Sequence, residues 1–339
     1  MTDLAGPEGA IACLPVRGVP EIRDGDDLAA ILCRCADLRD GDVLVVTSKV
    51  VSKADGLVAT RSKEQAVAEE TDRVVATRGD TVIARTHHGL VMAGAGVDAS
   101  NTDRGTVVLL PRRPDESARR LRAAVAELTG RNVGVLVSDT SGRAWRTGQT
   151  DIAIGAAGVR VVRDYVGRVD GYGNSLHVSV AAVVDELAGA ADLVKGKLTG
   201  CPAAVVRGLA TLVLPAGEHG PGAGVLVRPE ADDLFGYGAR EAVARAVRAD
   251  PSGLRGFGSP CTAEELTAGL QAAVGGCVVT AAPDRVELRL PAGSDPALAR
   301  RTGRLEARAA ALAFAFGWVA SEPGDHDDTV TFRPPASVD

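Results

Sequence analysis

Residues 133–151 read VGVLVSDTSGRAWRTGQTD, and the type of fold is best approached from this stretch. Its first five residues form a short apolar run that is typical of the end of a buried strand. Hydroxyls, arginines, a tryptophan and two carboxylates follow at once. A surface loop can carry such a mixture without any function, so the neighbouring segments have to decide its meaning.

Helical and extended patterns alternate along the rest of the chain. Residues 116–129 predict an amphipathic helix, with Asp115 as its N-cap and Gly130 as its stop. Further helices are expected near 26–35, 178–190 and 239–249, and further strands near 43–46, 159–162 and 203–206. The sequence therefore predicts an α/β body of mixed α+β type.

A run of turn-forming residues over 250–260 predicts a domain boundary. Beyond it, residues 286–290 alternate between apolar and charged side chains as in a half-exposed strand, and Pro296 opens a helix that is expected to reach Gly317. We therefore predict a first domain at residues 1–248 and a small α+β domain at 249–339.

The composition excludes several classes of partner. The 339 residues carry a net charge of -6, and aromatic residues make up only 3%, so neither a nucleic acid nor a membrane surface is expected to bind. The six cysteines show no CxxC spacing and are expected to be reduced thiols. With no signal-peptide pattern at its start and no long apolar segment, the protein is expected to be cytoplasmic.

Two polar clusters follow apolar runs in the first half of the chain. The segment 47–53 supplies hydroxyls and lysines that suit phosphate oxygens, although a solvated strand end would look the same. The segment 94–101 combines glycines with Asp98 and Asn101, which suit a hard cation or a tight Asx-turn. Both segments are candidate binding sites, and the sequence equally allows a solvated strand end at 47–53 and an Asx-turn at 94–101.

The third cluster is the polar half of the 133–151 stretch. Asp139 and Thr140 are adjacent oxygen donors of the kind that Mg²⁺ and Mn²⁺ prefer. Arg143 and Arg146 could hold phosphate or carboxylate, while Trp145 is expected to be a packed wall residue. Further on, the two lysines of 195–197 are a second candidate phosphate contact, but a P-loop pattern is absent and the histidines lack metal-binding spacing.

Five segments resemble the coenzyme F420:L-glutamate ligase family, in the same order along the chain. They are LPVRGVPEI (14–22), DGDVLVVTSKVVSK (40–53), GLVMAGAGVDASN (89–101), SDTSGRAWRTGQTD (138–151) and ADLVKGK (191–197). The resemblance covers residues from about 11 to 245. It implies a family-specific fold of two subdomains, a homodimer, and a GTP-dependent ligase that joins L-glutamate to a deazaflavin precursor through an acyl phosphate and then adds γ-linked glutamates.

The resemblance also implies two divalent ions, Mg²⁺ or Mn²⁺, and assistance by K⁺. By matching motif, the metal positions are Asp98, Asp139 and Thr140. The GTP positions are Val19, Pro20, Glu21, Ile22, Ser48, Lys53, Asn101, Leu193, Val194, Lys195, Gly196, Lys197, Leu198, Thr199 and Gly200. The expected catalytic residues are Asp98 and Asp139, to which charge and position add Arg143 and Arg146 as holders of the acidic substrate.

Two other functions stay open from the sequence. The matching motifs chiefly serve nucleotide and metals, so a paralogous ligase with another acceptor would carry them too. A catalytically silent nucleotide-binding protein is the alternative from another class. About 90 residues follow the predicted boundary, which is too few for the flavin-binding reductase domain fused to some relatives, so no FMN is expected.

Overall fold

The computed structural model describes residues 9–321 and 328–335 of the chain. Two compact units divide it, Met1–Val227 and Arg228–Asp339. Helices and several separate sheets occur together, so the predicted mixed class is confirmed. The domain limits read from the sequence, 1–248 and 249–339, stay a prediction.

The first unit contains all the segments that the sequence singled out for function. In chain order its elements are β1 (Ala12–Pro15), α1 (Leu28–Cys35), β2 (Val43–Thr47), α2 (Ser48–Ala54), β3 (Val58–Thr60), α3 (Lys63–Glu70), β4 (Thr71–Arg78), β5 (Thr81–Thr86), β6 (Val91–Ala93), β7 (Thr106–Val108), α4 (Pro114–Thr129), β8 (Gly134–Arg143), β9 (Arg146–Ala157), β10 (Arg163–Asp164), β11 (Val180–Ala181), α5 (Val183–Lys195) and β12 (Ala203–Arg207).

A five-stranded sheet in the order β1-β12-β2-β8-β9 forms the centre of this unit. Only β2 and β8 are parallel neighbours, and the other pairs run antiparallel. Smaller sheets join β3 to β7, β4 to β5 and β6, and β10 to β11. The parallel pair matters most for function, because helix α2 begins where β2 ends, beside the polar half of β8.

Strand β2 shows why this sheet is covered on both faces. Leu44 and Val46 point into a core shared with α1 and α4, whereas Val43 and Val45 point into a second core shared with α5. All four side chains are fully buried. Because side chains alternate along a strand, a continuous apolar run is what a sheet covered on both faces requires.

Helix α4 begins two residues earlier than a cap at Asp115 would give. Arg113 is the N-cap and Pro114 occupies the first turn, where its missing N–H costs nothing. The Asp115 carboxylate instead accepts from the backbone N–H groups of Ala156 and Ala223, at 2.8 and 2.6 Å. The predicted stop at Gly130 is confirmed, with a left-handed φ of 70°.

Three other expectations differ from the structure. The polar residues after 137 do not leave the strand, since β8 continues to Arg143 and turns back into β9. Within the described residues, 159–162 forms no strand and makes only an isolated bridge between Val159 and Val213. The helix expected near 178–190 runs instead over 183–195. The predicted helix near 26–35 and the strands at 43–46 and 203–206 are confirmed.

The second unit has its own sheet and core. Its elements are α6 (Ala239–Arg248), α7 (Ala263–Ala273), β13 (Val278–Ala282), β14 (Arg285–Arg289), α8 (Pro296–Ala315), β15 (Val319–Ala320) and β16 (Thr329–Arg333). The strands form an antiparallel sheet in the order β13-β14-β16-β15. Alternate residues of β14, Val286 and Leu288, pack with α7 and α8, as their spacing predicts.

Two sequence expectations about thiols and membranes also have structural counterparts. All six cysteines are free. Within residues 9–321 and 328–335, no helix has both the length and the apolar character needed to cross a bilayer.

Candidate functional site

The candidate site lies where β2 ends beside the middle of β8. The two strands are in parallel register, with Thr47 opposite Ser138. Helix α2 begins at Ser48, directly after β2, so residues 48–53 of the candidate segment are helical rather than a solvated strand end. This placement brings the start of α2 against the middle of β8.

Asp139 is the carboxylate at the centre of the site. The hydroxyl of Ser48 donates to its Oδ1 at 2.6 Å. Burial raises the pKa of Asp139 to about 6, and the nearby carboxylates of Asp151 and Asp98 act in the same direction. A carboxylate in such surroundings is stabilised by a cation, which would offset both the lost hydration and the like charges.

Asp98 approaches the same point from a different part of the chain. Its backbone is bridged to Val108, and its carboxylate lies 2.7 Å from the ammonium of Lys49. The N–H of Ser100 donates to its Oδ1 at 2.7 Å, which is the predicted Asx-turn. Burial alone would raise the pKa of Asp98, but Lys49 and Ser100 hold that pKa below its ordinary value.

Consecutive residues of α2 therefore hold the two carboxylates. Ser48 binds Asp139 and Lys49 binds Asp98. The two carboxylates are close enough for Asp98 to raise the pKa of Asp139, although they lie far apart in sequence. The structure thus brings together two of the three predicted metal ligands.

Lys53, itself a predicted GTP-binding position, contacts two others, Glu21 and Asn101. Its side chain is nearly buried, and its ammonium donates to the carboxylate of Glu21 and to the backbone oxygen of Asn101, the latter at 2.9 Å. Asn101 adopts a left-handed φ of 54°. Of the other positions beside Glu21, Ile22 is buried in the core, Val19 packs against that core and Pro20 is exposed.

A second polar cluster lies on the other side of β8. The buried ammonium of Lys195 binds Asp151 at 2.7 Å and Ser138 at 2.9 Å. The hydroxyl of Thr140, the third predicted metal ligand, donates to Asp151 at 2.9 Å and accepts from Lys197 at 2.5 Å. Burial would raise the pKa of Asp151, but the charge of Lys195 and these hydrogen bonds hold it below its ordinary value.

The segment 193–200 begins in the last turn of α5 and continues as an exposed loop. Lys195 ends the helix, Gly196 is its cap with a φ of 63°, and the hydroxyl of Thr199 donates to the backbone oxygen of Lys195. Leu193 and Leu198 are 86% and 99% exposed, while Val194 packs against the core beside α5. Lys195 and Lys197 thus face the cluster, and Leu193 and Leu198 face the solvent.

The two predicted arginines lie at the tip of the β8–β9 hairpin. Arg143 and Arg146 pair with each other in the register, four positions beyond Asp139. That spacing corresponds to roughly 13 Å along a strand. Trp145, in the turn between them, is 87% exposed, so the expectation that it packs as a wall residue is wrong.

Two residues of the site were not assigned from the sequence. Lys49 stands inside a matching motif, and its spacing from Ser48 offers no sign that it binds Asp98. Treating 138–151 as a hairpin with its turn at 144–145 would have brought Asp151 near Thr140, but regular counting places Gln149 there. A register shift between Gly142 and Arg143 sets Asp151 directly opposite Thr140. The assumption that the strand ends at residue 137 concealed that pairing.

The oxygen donors fit a divalent cation only with help from a ligand. In the part of the chain that the structure describes, no group of three or more His, Cys, Asp and Glu side chains is arranged to hold a metal. Asp98 and Asp139 supply carboxylate oxygens, and Thr140 supplies a hydroxyl from the neighbouring Asp151 cluster. Mg²⁺ is commonly held by one or two carboxylates, with substrate phosphates and water completing its shell. The residues present are therefore suited to a metal–nucleotide complex.

Comparison with known proteins agrees with the matching motifs. The sequence profile of the F420-0:Gamma-glutamyl ligase family matches residues 18–64 and 60–208. The chain belongs to this family. Every predicted GTP-binding and metal-binding position lies within the matched residues, and all of them lie in the first unit.

Several similar proteins are named coenzyme F420:L-glutamate ligase. The protein of Archaeoglobus fulgidus is 41% identical over 220 residues, covering 59% of this chain and 88% of that protein. The Methanothermobacter thermautotrophicus protein is 36% identical over 253 residues, covering 66% of this chain and 98% of its own length. The Halobacterium salinarum protein is 43% identical over 219 residues, which cover 57% of this chain and 85% of that protein. This member of the ligase family thus contains nearly the whole length of these relatives.

Proposed function

We propose that the protein is a GTP-dependent ligase that joins L-glutamate to the deazaflavin precursor of coenzyme F420 and adds one or more γ-linked glutamates. Relatives named for this reaction and the family match support the proposal. The observation that carries it is the convergence of Asp98 and Asp139 on consecutive residues of one helical turn, Ser48 and Lys49.

The nucleotide is proposed to bind between the start of α2 and the end of α5. Lys53, Lys195 and Lys197 place positive charge around the acidic pair, where it can offset the charge of a triphosphate. The backbone of 19–22, Asn101 and the 193–200 loop would surround the rest of GTP. Backbone groups suit this role, because the chain has few aromatic residues with which to stack a base.

Asp98, Asp139 and Thr140 are proposed to hold two divalent cations, Mg²⁺ or Mn²⁺. Bound there, the cations would neutralise charge on the phosphates during phosphoryl transfer. Ser48 orients Asp139 by its hydrogen bond, and Asp151 orients the hydroxyl of Thr140. These two contacts limit the rotation of the proposed ligands before a cation binds.

The proposed reaction has two steps. A carboxylate oxygen of the acceptor attacks the γ-phosphorus of GTP, and GDP leaves, which gives an acyl phosphate. The amine of L-glutamate then attacks the acyl carbon, releasing inorganic phosphate and a proton as the amide bond forms. Holding both reactants in line would supply much of the acceleration, since phosphoryl transfer depends chiefly on positioning and charge stabilisation.

Arg143 and Arg146 are proposed to hold the acidic substrates from the hairpin tip. Both arginines are exposed there, and the guanidinium of Arg143 donates to the backbone oxygen of Thr147 at a long 3.4 Å. Replacing each by Ala should raise the KM for glutamate or for the acceptor. An unchanged KM for both substrates would remove the arginines from the mechanism.

The remaining family properties are part of the same proposal. K⁺ should stimulate the reaction, and the protein should elute as a homodimer on a calibrated size-exclusion column with light scattering. No FMN is expected, so a yellow preparation with a flavin absorption band would contradict that part of the proposal.

One assay tests the central claim. The protein is incubated with GTP, Mn²⁺, L-glutamate and the unglutamylated cofactor, and product masses are read by mass spectrometry. Masses that increase by glutamate units, with GDP formed in equal amount, are expected. GTP consumption with glutamate but without a glutamylated cofactor would point to another acceptor, and the absence of any nucleotide turnover would indicate a binding protein.

A further inference from the structure

Two lysines are bonded to oxygens that the proposed function assigns to divalent cations. The ammonium of Lys49 lies 2.7 Å from Oδ2 of Asp98. The ammonium of Lys197 lies 2.5 Å from Oγ1 of Thr140 and 4.0 Å from the carboxylate of Asp151. Each lysine is thus attached to one of the proposed metal ligands.

The same oxygen cannot serve an ammonium and a divalent cation equally well. A cation within bonding distance of Asp98 would repel the ammonium of Lys49, and the carboxylate has only a few lone pairs to share. The Oδ1 of Asp98 already accepts from the N–H of Ser100, and its Oδ2 accepts from the hydroxyl of Ser100 at 3.0 Å. Binding of a metal therefore requires Lys49 to change partners.

The ammonium groups of both lysines can reach other hydrogen-bond acceptors. Their four-carbon stems are flexible, and an ammonium is a point charge that can rotate toward a new acceptor. Besides Asp98, Lys49 donates to the hydroxyl of Ser100 at 2.8 Å and to its backbone oxygen at 2.9 Å, and Lys197 is 63% exposed. A nucleotide triphosphate at the site would present oxygens to each ammonium as its first partner is taken by a metal.

We propose that Lys49 and Lys197 hold the metal-binding oxygens in the free protein and transfer to the nucleotide phosphates when the cations bind. This inference rests on the proposed function. Metal and nucleotide binding then reinforce each other. The cation displaces each ammonium from its oxygen, and the nucleotide phosphates accept the displaced ammonium. Lys49 has the clearer role, since it lies outside the positions that the family resemblance assigns to GTP.

The exchange predicts effects of opposite sign for Lys49→Met. Without nucleotide, loss of the competing ammonium should tighten Mn²⁺ binding by about fivefold. In the presence of Mn²⁺, loss of a phosphate partner should weaken GTP binding by about tenfold. If Lys49 merely positioned Asp98, its removal would weaken the binding of both ligands.

The experiment measures Mn²⁺ affinity from the electron paramagnetic resonance signal of free Mn²⁺, with and without GTP, and GTP affinity by calorimetry. Lys63→Met is the matched control, because Lys63 is an exposed lysine of α3 outside the site and its loss changes the net charge equally. Lys49→Gln repeats the test if Lys49→Met is poorly folded by circular dichroism. Lys197→Met should show the same opposed effects.

The outcomes separate this inference from the proposed function. Tighter Mn²⁺ binding together with weaker GTP binding supports the exchange. Unchanged or weaker Mn²⁺ binding by Lys49→Met, in a wild-type protein that binds Mn²⁺ and ligates glutamate, overturns the inference and leaves the function standing. A wild-type protein that binds no Mn²⁺ with or without GTP overturns both.

Discussion

Lys195 and Arg122 are two almost fully buried cations in the same unit, and their partners differ in kind. Lys195 binds the carboxylate of Asp151 at 2.7 Å and the hydroxyl of Ser138 at 2.9 Å. Arg122 donates mainly to neutral backbone oxygens, including those of Val133 at 2.9 Å and Pro215 at 3.0 Å. Val133 directly precedes β8, so the two cations serve different parts of one strand.

The difference separates a structural contact from one that belongs to the site. Arg122 also donates to Leu214, Glu218 and the side chain of Asn132, so the guanidinium ties the 214–218 loop to the start of β8. With these donors occupied, Arg122 has little left to offer an incoming anion. Lys195 instead balances an acidic cluster beside Asp139, whose charge would change when a metal–nucleotide complex binds.

The largest effect is expected at the site, from Asp139→Asn. Ligation should fall by about three orders of magnitude, because the substitution removes a charge that stabilises the bound cations. Stability should rise, because a folded-state pKa of about 6 against an ordinary 3.8 means that the charged form opposes folding. The free energy of unfolding contributed by this group therefore falls as pH rises from about 4 to about 6.

At neutral pH in the presence of a chelator, the Tm of Asp139→Asn should increase by roughly 2–4 °C. Steady-state assays and calorimetry test the two parts. A variant that loses both activity and stability would show that Asp139 stabilises the folded protein, and that its effect on activity follows from unfolding.

Arg122→Met should have the largest effect on stability. It leaves several buried carbonyl oxygens without donors, at a cost of about 4 kcal/mol in the free energy of unfolding. Arg122→Lys should cost less, since one ammonium can satisfy some of the same oxygens. Urea unfolding measures both, and a cost below about 1 kcal/mol for the Met variant would contradict the structural role.

Lys195→Met should cost about 3 kcal/mol, because it leaves the Asp151 carboxylate buried without its cation. Adding Asp151→Asn should raise the free energy of unfolding again, since it removes the unpaired buried charge. The double variant is expected to recover most of the lost stability in urea. If Asp151→Asn does not restore the stability of Lys195→Met, the charge of Asp151 is not the reason that Lys195 stabilises the fold.

Gly158→Ala tests the packing around Arg122 and should cost about 2 kcal/mol. Gly158 has a left-handed φ of 69°, and an added Cβ would lie 2.0 Å from Nε of Arg122. In the Arg122→Met background the cost should fall to about 1 kcal/mol, because methionine lacks Nε and Cζ, the two atoms that lie nearest to the added Cβ. Additive costs in the double variant would rule out the steric part of this explanation.

The smallest effect is expected at the hairpin tip. Trp145→Gly should change the free energy of unfolding by less than about 0.5 kcal/mol, since the side chain is 87% exposed. Its left-handed φ of 64° suits glycine, which favours a slight gain. A loss above about 1 kcal/mol would place Trp145 among the residues that hold the hairpin together.

Strands β2 and β12 and helices α1 and α4 could be predicted because their signals are local. A continuous apolar run specifies β2, and apolar spacing specifies α1 and α4. The extent of β8 could not be predicted in the same way. Its polar second half resembles a loop when considered alone, and it remains a strand because β9 supplies the hydrogen bonds and Lys195 supplies a partner for Asp151.

Sequence alone established the class of fold, the order of the family motifs and the carboxylates that stand out among them. The tertiary structure decided which charges meet: Lys49 with Asp98, and Lys195 with Asp151 across 44 residues. Local spacing cannot specify such pairs, because the partners come from separate elements. The free energy of a charge depends on its burial and on the charges around it, and packing sets both.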